Sequence, residues 1–341
     1  MKVLPVLVVA PFDDAHHAHA SQRCRALERL GSRVEVFDLK KRPGLLGRLA
    51  GNDLRSRLVK TVEAASAKLV LVIGAPELEP ELVTELRQAT GVPWANWFPD
   101  DLRTAYDAAR RGRAYNHVFV AGSDVAARME QELGRPVEVV PFAADPSVYR
   151  PIRSKDQYRA NVVFAGSATP RRETMLAGLV EFGLALWGPG WRRTGLKDYC
   201  RGEVANTEEY VRAYGGASVA VNIHHTAGDG AEEGTVNQRL FEIAAIGVPQ
   251  AVDTRADLPA MFQPGEEVLV FRNPAELRAI VQTALQDLQA IEPIAAAARR
   301  AVLGKHTYMH RMRQIMEAVT PSRSPPPAGT PPDSAPPSPG G

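Results

Sequence analysis

The chain is short of cysteine, of long apolar runs, of glycine-rich fingerprints and of any excess of one charge. Its 341 residues include only two cysteines, Cys24 and Cys200. Neither has a Cys or His partner at metal-ligand spacing, which argues against a zinc module or a disulfide framework. A reduced, cytoplasmic protein is the expectation. The 41 Lys and Arg nearly balance 39 Asp and Glu, for a net charge of +2. That is far from the basic surface a nucleic-acid partner requires. No apolar run is long enough for a transmembrane segment. The run Val3–Ala10 follows one Lys, but it is β-branched, is interrupted by Pro5 and closes at Pro11 and Asp13-Asp14. It reads as a first strand rather than a secretion signal. Neither G-x-G-x-x-G nor G-K-[ST] occurs, which removes the dinucleotide fingerprint and the P-loop.

What is present is alternation. Strand-like runs at Val3–Ala10, Arg33–Phe37, Leu69–Ile73, Trp94–Phe98, Val118–Ala121 and Val137–Val140 are separated by amphipathic segments such as Ser21–Leu30, Leu54–Ala67 and Asp124–Leu133. Short apolar strands between helices predict a parallel sheet covered on both faces. Pro141–Pro151 then places three prolines in eleven residues, a stiff connection. The alternation restarts with strands at Asn161–Ala165, Ala185–Trp187, Ser218–Ile223, Val248–Val252 and Val268–Phe271. Helices are expected at Arg171–Glu181, Thr207–Tyr214, Val236–Ile246, Asp257–Met261 and Ala275–Gln289, then near 294–304 and 308–319. The expected fold is α/β, with two tandem doubly wound, Rossmann-like domains facing a central cleft. The first spans 1–150 and the second 151–320. Residues 321–341 hold nine of the 27 prolines and form a Pro-rich tail that cannot build a core.

Several loops carry chemistry. Thr235–Gly247 reads as an apolar helix in which Thr235, Arg239 and Glu242 share one face. A Glu in so apolar a helix needs a partner, and a ligand rich in hydroxyls and phosphates would supply one. An Arg239–Glu242 pair on a partly solvated helix fits the same pattern. After Asn161–Ala165 comes Gly166-Ser167-Ala168-Thr169-Pro170-Arg171-Arg172, with Thr169 suited to cap and Pro170 to the first helical position. Two arginines in a first turn oppose the helix dipole, a conflict that a bound phosphate removes. Trp187-Gly188-Pro189-Gly190-Trp191 has either to shelter a base or sugar or to pack under its own loop. Asn222-Ile223-His224-His225 ends a strand and precedes glycine-rich sequence, as active-site loops do. The vicinal histidines lack the further Cys or His that a metal site needs. In the first half, Asp13, His16, His17 and His19 follow the first strand, and Asp100 and Asp101 follow the fourth. His16, His17 and Asp13 are the candidate catalytic bases.

These pieces together resemble GT-B glycosyltransferases, and specifically the CgeB-like, spore-maturation type. The similarity rests on Asn161–Ser167 with Pro170-Arg171-Arg172, Trp187–Trp191, Val221-Asn222-Ile223-His224, Asn237–Ala245, Phe262–Glu267 and His306–Arg311. The resemblance implies a nucleotide-sugar co-substrate such as a UDP- or GDP-sugar, held mostly by the second domain, with no other cofactor and no metal. Glu242 matches the Glu that hydrogen-bonds the donor ribose. Arg171 or Arg172, with the Gly166–Ser167 loop and the Thr235–Asn237 turn, would hold the diphosphate. Gly188 and Trp191 would lie near the base, and His224, Asn237 and Arg239 would complete the donor site. His19, Asp100 and Asp101 would face the acceptor. The last helix would cross back onto the first domain. One departure concerns the position eight residues before Glu242. Many retaining relatives carry a second Glu there, where this chain has Gly234, with Glu232 and Glu233 out of register.

Three functions fit. The first is a metal-independent glycosyltransferase of hexosyltransferase type, acting on a glycan, protein or small-molecule acceptor. The second is a GT-B-like nucleotide-sugar epimerase, and the third a degenerate GT-B module that binds or builds. On the sequence alone, Glu242→Ala is expected to weaken nucleotide binding and leave the fold intact.

Overall fold

The computed structural model describes residues 4–12, 19–41, 53–98, 108–225 and 234–320. The first sheet contains β1 (Val6–Ala10), β2 (Val34–Asp38), β3 (Leu69–Ile73), β4 (Trp94–Phe98), β5 (His117–Val120) and β6 (Glu138–Val139), all parallel, in the order β2-β1-β3-β4-β5-β6. Around it lie α1 (His19–Arg29), α2 (Leu54–Ala65), α3 (Pro80–Thr90), α4 (Ala108–Gly112) and α5 (Ser123–Leu133). The second sheet contains β7 (Ala160–Ala165), β8 (Leu184–Trp187), β9 (Cys200–Gly202), β10 (Ala217–Asn222), β11 (Gln250–Asp253) and β12 (Leu269–Phe271), also parallel, in the order β12-β11-β10-β7-β8-β9. Its helices are α6 (Pro170–Ala177), α7 (Thr207–Gly215), α8 (Gln238–Ile246), α9 (Leu258–Met261), α10 (Pro274–Gln286) and α11 (Leu288–Lys305), followed by α12 (Tyr308–Val319). This is the tandem doubly wound arrangement of the GT-B fold.

Every residue of β1, β3 and β4 is buried, because helices cover both faces of a parallel sheet. Leu7 and Val9 pack on one face and Val6 and Val8 on the other. The second sheet divides likewise, with Val163 and Ala165 against α7 and α8, and Val162 and Phe164 against α6 and α10.

Local chemistry moved three boundaries. α8 starts at Gln238 rather than Val236, because Asn237 caps it through the Leu240 N–H, 3.0 Å away. Thr235 therefore lies outside the helix, and the expected face shared by Thr235, Arg239 and Glu242 does not form. α6 ends at Ala177, before Gly178, and a separate 3-10 turn spans Val180–Phe182. α11 begins at Leu288, capped by Asp287, and Pro293 falls early in it. The short edge strand β9 was not anticipated.

Two structures join the domains. One is a joint built from the linker and α12. Although α12 follows the second domain in sequence, Tyr308, Met312, Ile315 and Met316 pack against the first sheet with Leu27 and Trp97. Arg311 donates to the carbonyls of Pro141 (2.9 Å) and Phe142 (3.0 Å), and Asp145 pairs with Arg25 of α1 at 3.0 Å. His306 donates from Nε2 to the Met261 carbonyl and accepts from Arg311 at Nδ1. Burial and the Arg311 charge push its pKa down to about 3.

The second structure closes the mouth of the cleft. The N-cap residue of α5 is Gly122, which has no side chain to cap the helix. Asp257 of the second domain serves instead. Its carboxylate accepts the Ser123 N–H at 2.8 Å and also the Ser123 hydroxyl. The backbones meet so closely that a Cβ on Gly122 would collide with Thr235. Asp257→Ala should remove this cap, costing about 1 kcal/mol, and let the cleft open. Small-angle scattering should then show a larger radius of gyration; an unchanged profile would mean that the joint alone sets the closure.

Candidate functional site

In each sheet the chain reverses its direction of strand addition once. In the second sheet this happens between β7 and β10, which pair directly. The crevice outside such neighbouring strand ends is where open α/β sheets bind ligands. The two loops that flank it are Gly166–Thr169 after β7 and Ile223–His225 after β10, with the N-terminus of α8 between them.

The β7 loop is held from both sides. Gly166 donates to the Trp187 carbonyl at 2.8 Å, and its own carbonyl accepts the Trp191 indole N–H at 2.8 Å. Gly188 has φ +124°, and a Cβ there would lie 2.5 Å from the Gly166 oxygen, so only glycine lets the two turns approach. Trp191 is wholly buried and packs edge-on to Phe164, while Trp187 tilts against Tyr158. The tryptophans therefore pack beneath the loop. Trp191, expected near a base, presents no open ring face and acts as the floor of the Gly166 turn.

The arginines divide their work. Arg171 pairs with Asp253 at 2.9 Å. Arg172 is buried, donating to the Ile223 carbonyl (3.0 Å) and the Ser167 carbonyl (2.9 Å). These protein partners offset the dipole conflict in the first turn of α6. Thr169 caps that turn and Pro170 opens it, as the residues suggested. Arg239 differs. Its Nη1 reaches Asn222 Oδ1 and the Ile223 carbonyl only at 3.3 and 3.4 Å, and its buried Nε has no hydrogen-bond partner. Arg172 and Arg239 lie 5.3 and 5.4 Å from the Phe164 ring, and among the described residues neither forms an ion pair. Burial and the Arg239 charge push the Arg172 pKa down to about 9. Burial also opposes the Arg239 charge, but Tyr214, Tyr210 and Glu242 hold its pKa above the ordinary value. Two protonated guanidiniums thus share one side of the crevice without a paired anion.

His224 and Asp253 are buried. The His224 ring meets Asp253 through Nδ1 at 2.6 Å, and its Nε2 accepts the Asn237 N–H at 2.9 Å. His224 was expected to touch the ligand; both its ring nitrogens are instead engaged within the protein. Asn237 also pairs amide to amide with Asn222, at 2.9 and 3.1 Å.

Glu242 is 1% exposed. It accepts from the Tyr210 hydroxyl at 2.8 Å and from the Gln238 amide at 2.6 Å, and Gln238 in turn accepts from Tyr308 of α12 at 2.9 Å. An Arg239–Glu242 ion pair on a solvated helix is not what forms.

The structure thus brings Gly166, Ser167, Arg171, Arg172, Gly188, Trp191, His224, Asn237, Arg239 and Glu242 around one crevice. Asp13, His16, His17, Asp100 and Asp101 lie outside the described residues. His19 opens α1, and its side chain is not among those described. Asp253, Tyr210 and Gln238 were missed. A carboxylate directly after the apolar strand Val248–Val252 was the available signal for Asp253; Tyr210 and Gln238 had none. Among the described residues, no three His, Cys, Asp or Glu side chains converge as a metal site.

Residues 171–317 match the family model described as Glycosyl transferase-like, so the second half carries a glycosyl transferase-like domain. No curated protein matches the chain by sequence. Similar solved structures include HepE from Anabaena in complex with UDP-glucose, 15% identical, with 92% of this chain and 98% of that one covered at a TM-score of 0.65. Sucrose-phosphate synthase from Thermosynechococcus elongatus is 16% identical over 92% and 98%, also with a TM-score of 0.65. A glycosyltransferase from Rickettsia africae is 10% identical over 93% and 98%, again at 0.65. The shared architecture is the GT-B fold.

The Glu242 network changes the expected outcome of its substitution. Glu242→Ala would remove the acceptor that the buried Tyr210 hydroxyl and Gln238 amide share, a loss of about 1–3 kcal/mol for a buried donor left unsatisfied. The variant should unfold at clearly lower denaturant, whereas Glu242→Gln should lose less. Equal midpoints for wild type and Glu242→Ala in a urea titration would contradict this.

Proposed function

We propose that the protein is a glycosyltransferase of the GT-B kind that moves a sugar from a nucleoside diphosphate to an acceptor in the interdomain cleft. The observation that carries this reading is the pair Arg172 and Arg239, two guanidiniums that form no ion pair among the described residues at the point where the second sheet reverses. A buried cation is costly unless an anion or hydrogen bonds offset it, and a diphosphate supplies both. The N-terminus of α8 adds its dipole on the same side. The UDP and UDP-glucose bound by HepE support the same ligand class. We propose further that it is a CgeB-like glycosyltransferase acting in the cytoplasm on a UDP- or GDP-hexose, with a glycan, protein or small molecule as acceptor.

In this reaction the acceptor hydroxyl forms a bond to the anomeric carbon while the bond from that carbon to the diphosphate oxygen breaks. Negative charge grows on the departing diphosphate. Arg239 and the helix dipole meet it without a metal, because fixed donors aimed at developing charge stabilise the transition state. The acceptor proton passes to a base on the first domain, for which His16, His17 and Asp13 are the candidates and His19, Asp100 and Asp101 the acceptor-side neighbours. Glu242 is proposed to meet the ribose, exchanging a protein donor for a ribose hydroxyl.

A thermal-shift screen against nucleoside diphosphates and their sugars tests the reading, since a ligand of the folded state raises the melting temperature. Arg239→Gln should raise the dissociation constant of the hit roughly 10- to 100-fold, the range for a lost charge-assisted hydrogen bond of about 1.5–3 kcal/mol. Its melt should stay cooperative. No shift across the panel, or an Arg239→Gln variant that binds like wild type, would remove the donor site from this crevice.

A further inference from the structure

Three segments meet at Asp253, and a fourth joins them through the His224 ring. Its carboxylate accepts the His224 backbone N–H at 3.0 Å and faces His224 Nδ1 at 2.6 Å, while Arg171 of α6 reaches it at 2.9 Å. On the far side of the ring, Nε2 lies 2.9 Å from the Asn237 nitrogen. A backbone N–H can only donate, so Nε2 must be the acceptor and Nδ1 must carry the proton toward Asp253. The imidazole is therefore neutral and of one tautomer. It bridges the end of β11 to the residue that caps α8. Asn237 in turn accepts the Leu240 N–H at 3.0 Å, and Arg239 sits within the helical turn so fixed.

We propose that His224, oriented by Asp253, is a positioning residue for the diphosphate subsite, and that protonation of its ring releases the first turn of α8. This rests on the donor reading above. A protonated ring would set Nε2–H against the Asn237 N–H, donor against donor. The cap would then move, and with it the Arg239 guanidinium and the first-turn amides. Among the described residues, the charged groups acting on the ring are Asp253 from β11, Arg255 just after it and Arg239 from α8, while Arg171 of α6 donates to the His224 backbone carbonyl. Burial lowers the His224 pKa below 6.5, Arg255 and Arg239 act in the same direction, and Asp253 opposes them. The competent, neutral ring is therefore the form at neutral pH and is lost only in more acidic solution.

The test compares wild type, His224→Gln and His224→Leu. Glutamine keeps an acceptor near the Nε2 position but does not titrate; leucine keeps none. The probes are UDP-glucose and GDP-mannose, whose diester phosphates gain no proton near neutrality. Calorimetry across pH should show constant wild-type affinity around neutral pH and a fall in acid. His224→Leu should bind at least about tenfold more weakly, about 1.4 kcal/mol. His224→Gln should bind near wild type with no acid fall. A folded His224→Leu that binds like wild type, or a His224→Gln that keeps the acid fall, overturns the proposal. Nitrogen-15 spectra of the histidine side chains, without ligand, should show His224 protonated at Nδ1; an Nε2–H tautomer overturns it as well. These spectra decide even if leucine prevents folding. Should wild type bind neither probe at neutral pH, the donor reading falls on its own, and the spectra still judge the tautomer.

Discussion

The Asp253 carboxylate is the interaction on which the second domain's ligand face depends. It is 1% exposed, so its charge is tolerable only because donors surround it. Burial alone would raise its pKa, but His224, Arg255 and Arg171 together hold it below the ordinary carboxylate value. The consequence reaches past the charge itself. Arg171 is committed to Asp253, and Arg172 is enclosed by carbonyls at the ends of β7 and β10. Of the three arginines at the crevice, Arg239 is thus left with an unsatisfied donor. The division follows from one buried anion drawing the nearest cation and leaving the next.

The crevice is also wired to the domain joint. Tyr308 begins the helix that packs on the first sheet, yet its hydroxyl donates to Gln238 in the second domain. Gln238 donates to Glu242, and Tyr210 completes that carboxylate's partners. Tyr149 of the linker packs edge-on to Tyr210 at 6.1 Å and accepts from Gln22 of α1. Buried polar groups resist rearrangement because each lost partner costs free energy. A rotation at the joint that displaced Tyr308 would therefore disturb the Glu242 partners before it disturbed the sheet. Domain orientation and the state of Glu242 are mechanically coupled.

Most of the fold was legible in the sequence, and for a clear reason. β3 is an uninterrupted apolar run and β4 is apolar except for Asn96; both are bounded by turn residues, and their limits were read without error. Helices carrying a visible cap, such as Thr169-Pro170 and Gly247, were also placed within a residue or two at the capped end. The errors fell where a long-range partner decides the outcome. Val236 is as apolar as the helix after it, and only the Asn237 pairing with Leu240, Asn222 and His224 ends the helix short of it. In the site, residue types showed that something at 171–172 and 239–242 must offset charge. They did not show what, because Asp253, Tyr210 and Tyr308 arrive from other parts of the chain.

Gly234 shows how a departure from a family pattern can have a physical origin. Set against the glutamate that the family resemblance implies, glycine at 234 leaves room for a degenerate site. In the structure, a Cβ at 234 would lie 2.8 Å from Asp124 Oδ1 and 2.9 Å from both Asp257 Oδ2 and Ser123 Oγ. Those atoms belong to the contact by which Asp257 caps α5. A side chain there would require Asp124, Asp257 and Ser123 to shift, and a carboxylate would add like charge beside two others. Glycine at 234 therefore fits the packing of Asp124, Asp257 and Ser123 around it, a physical reason for the residue that is separate from the state of the neighbouring crevice.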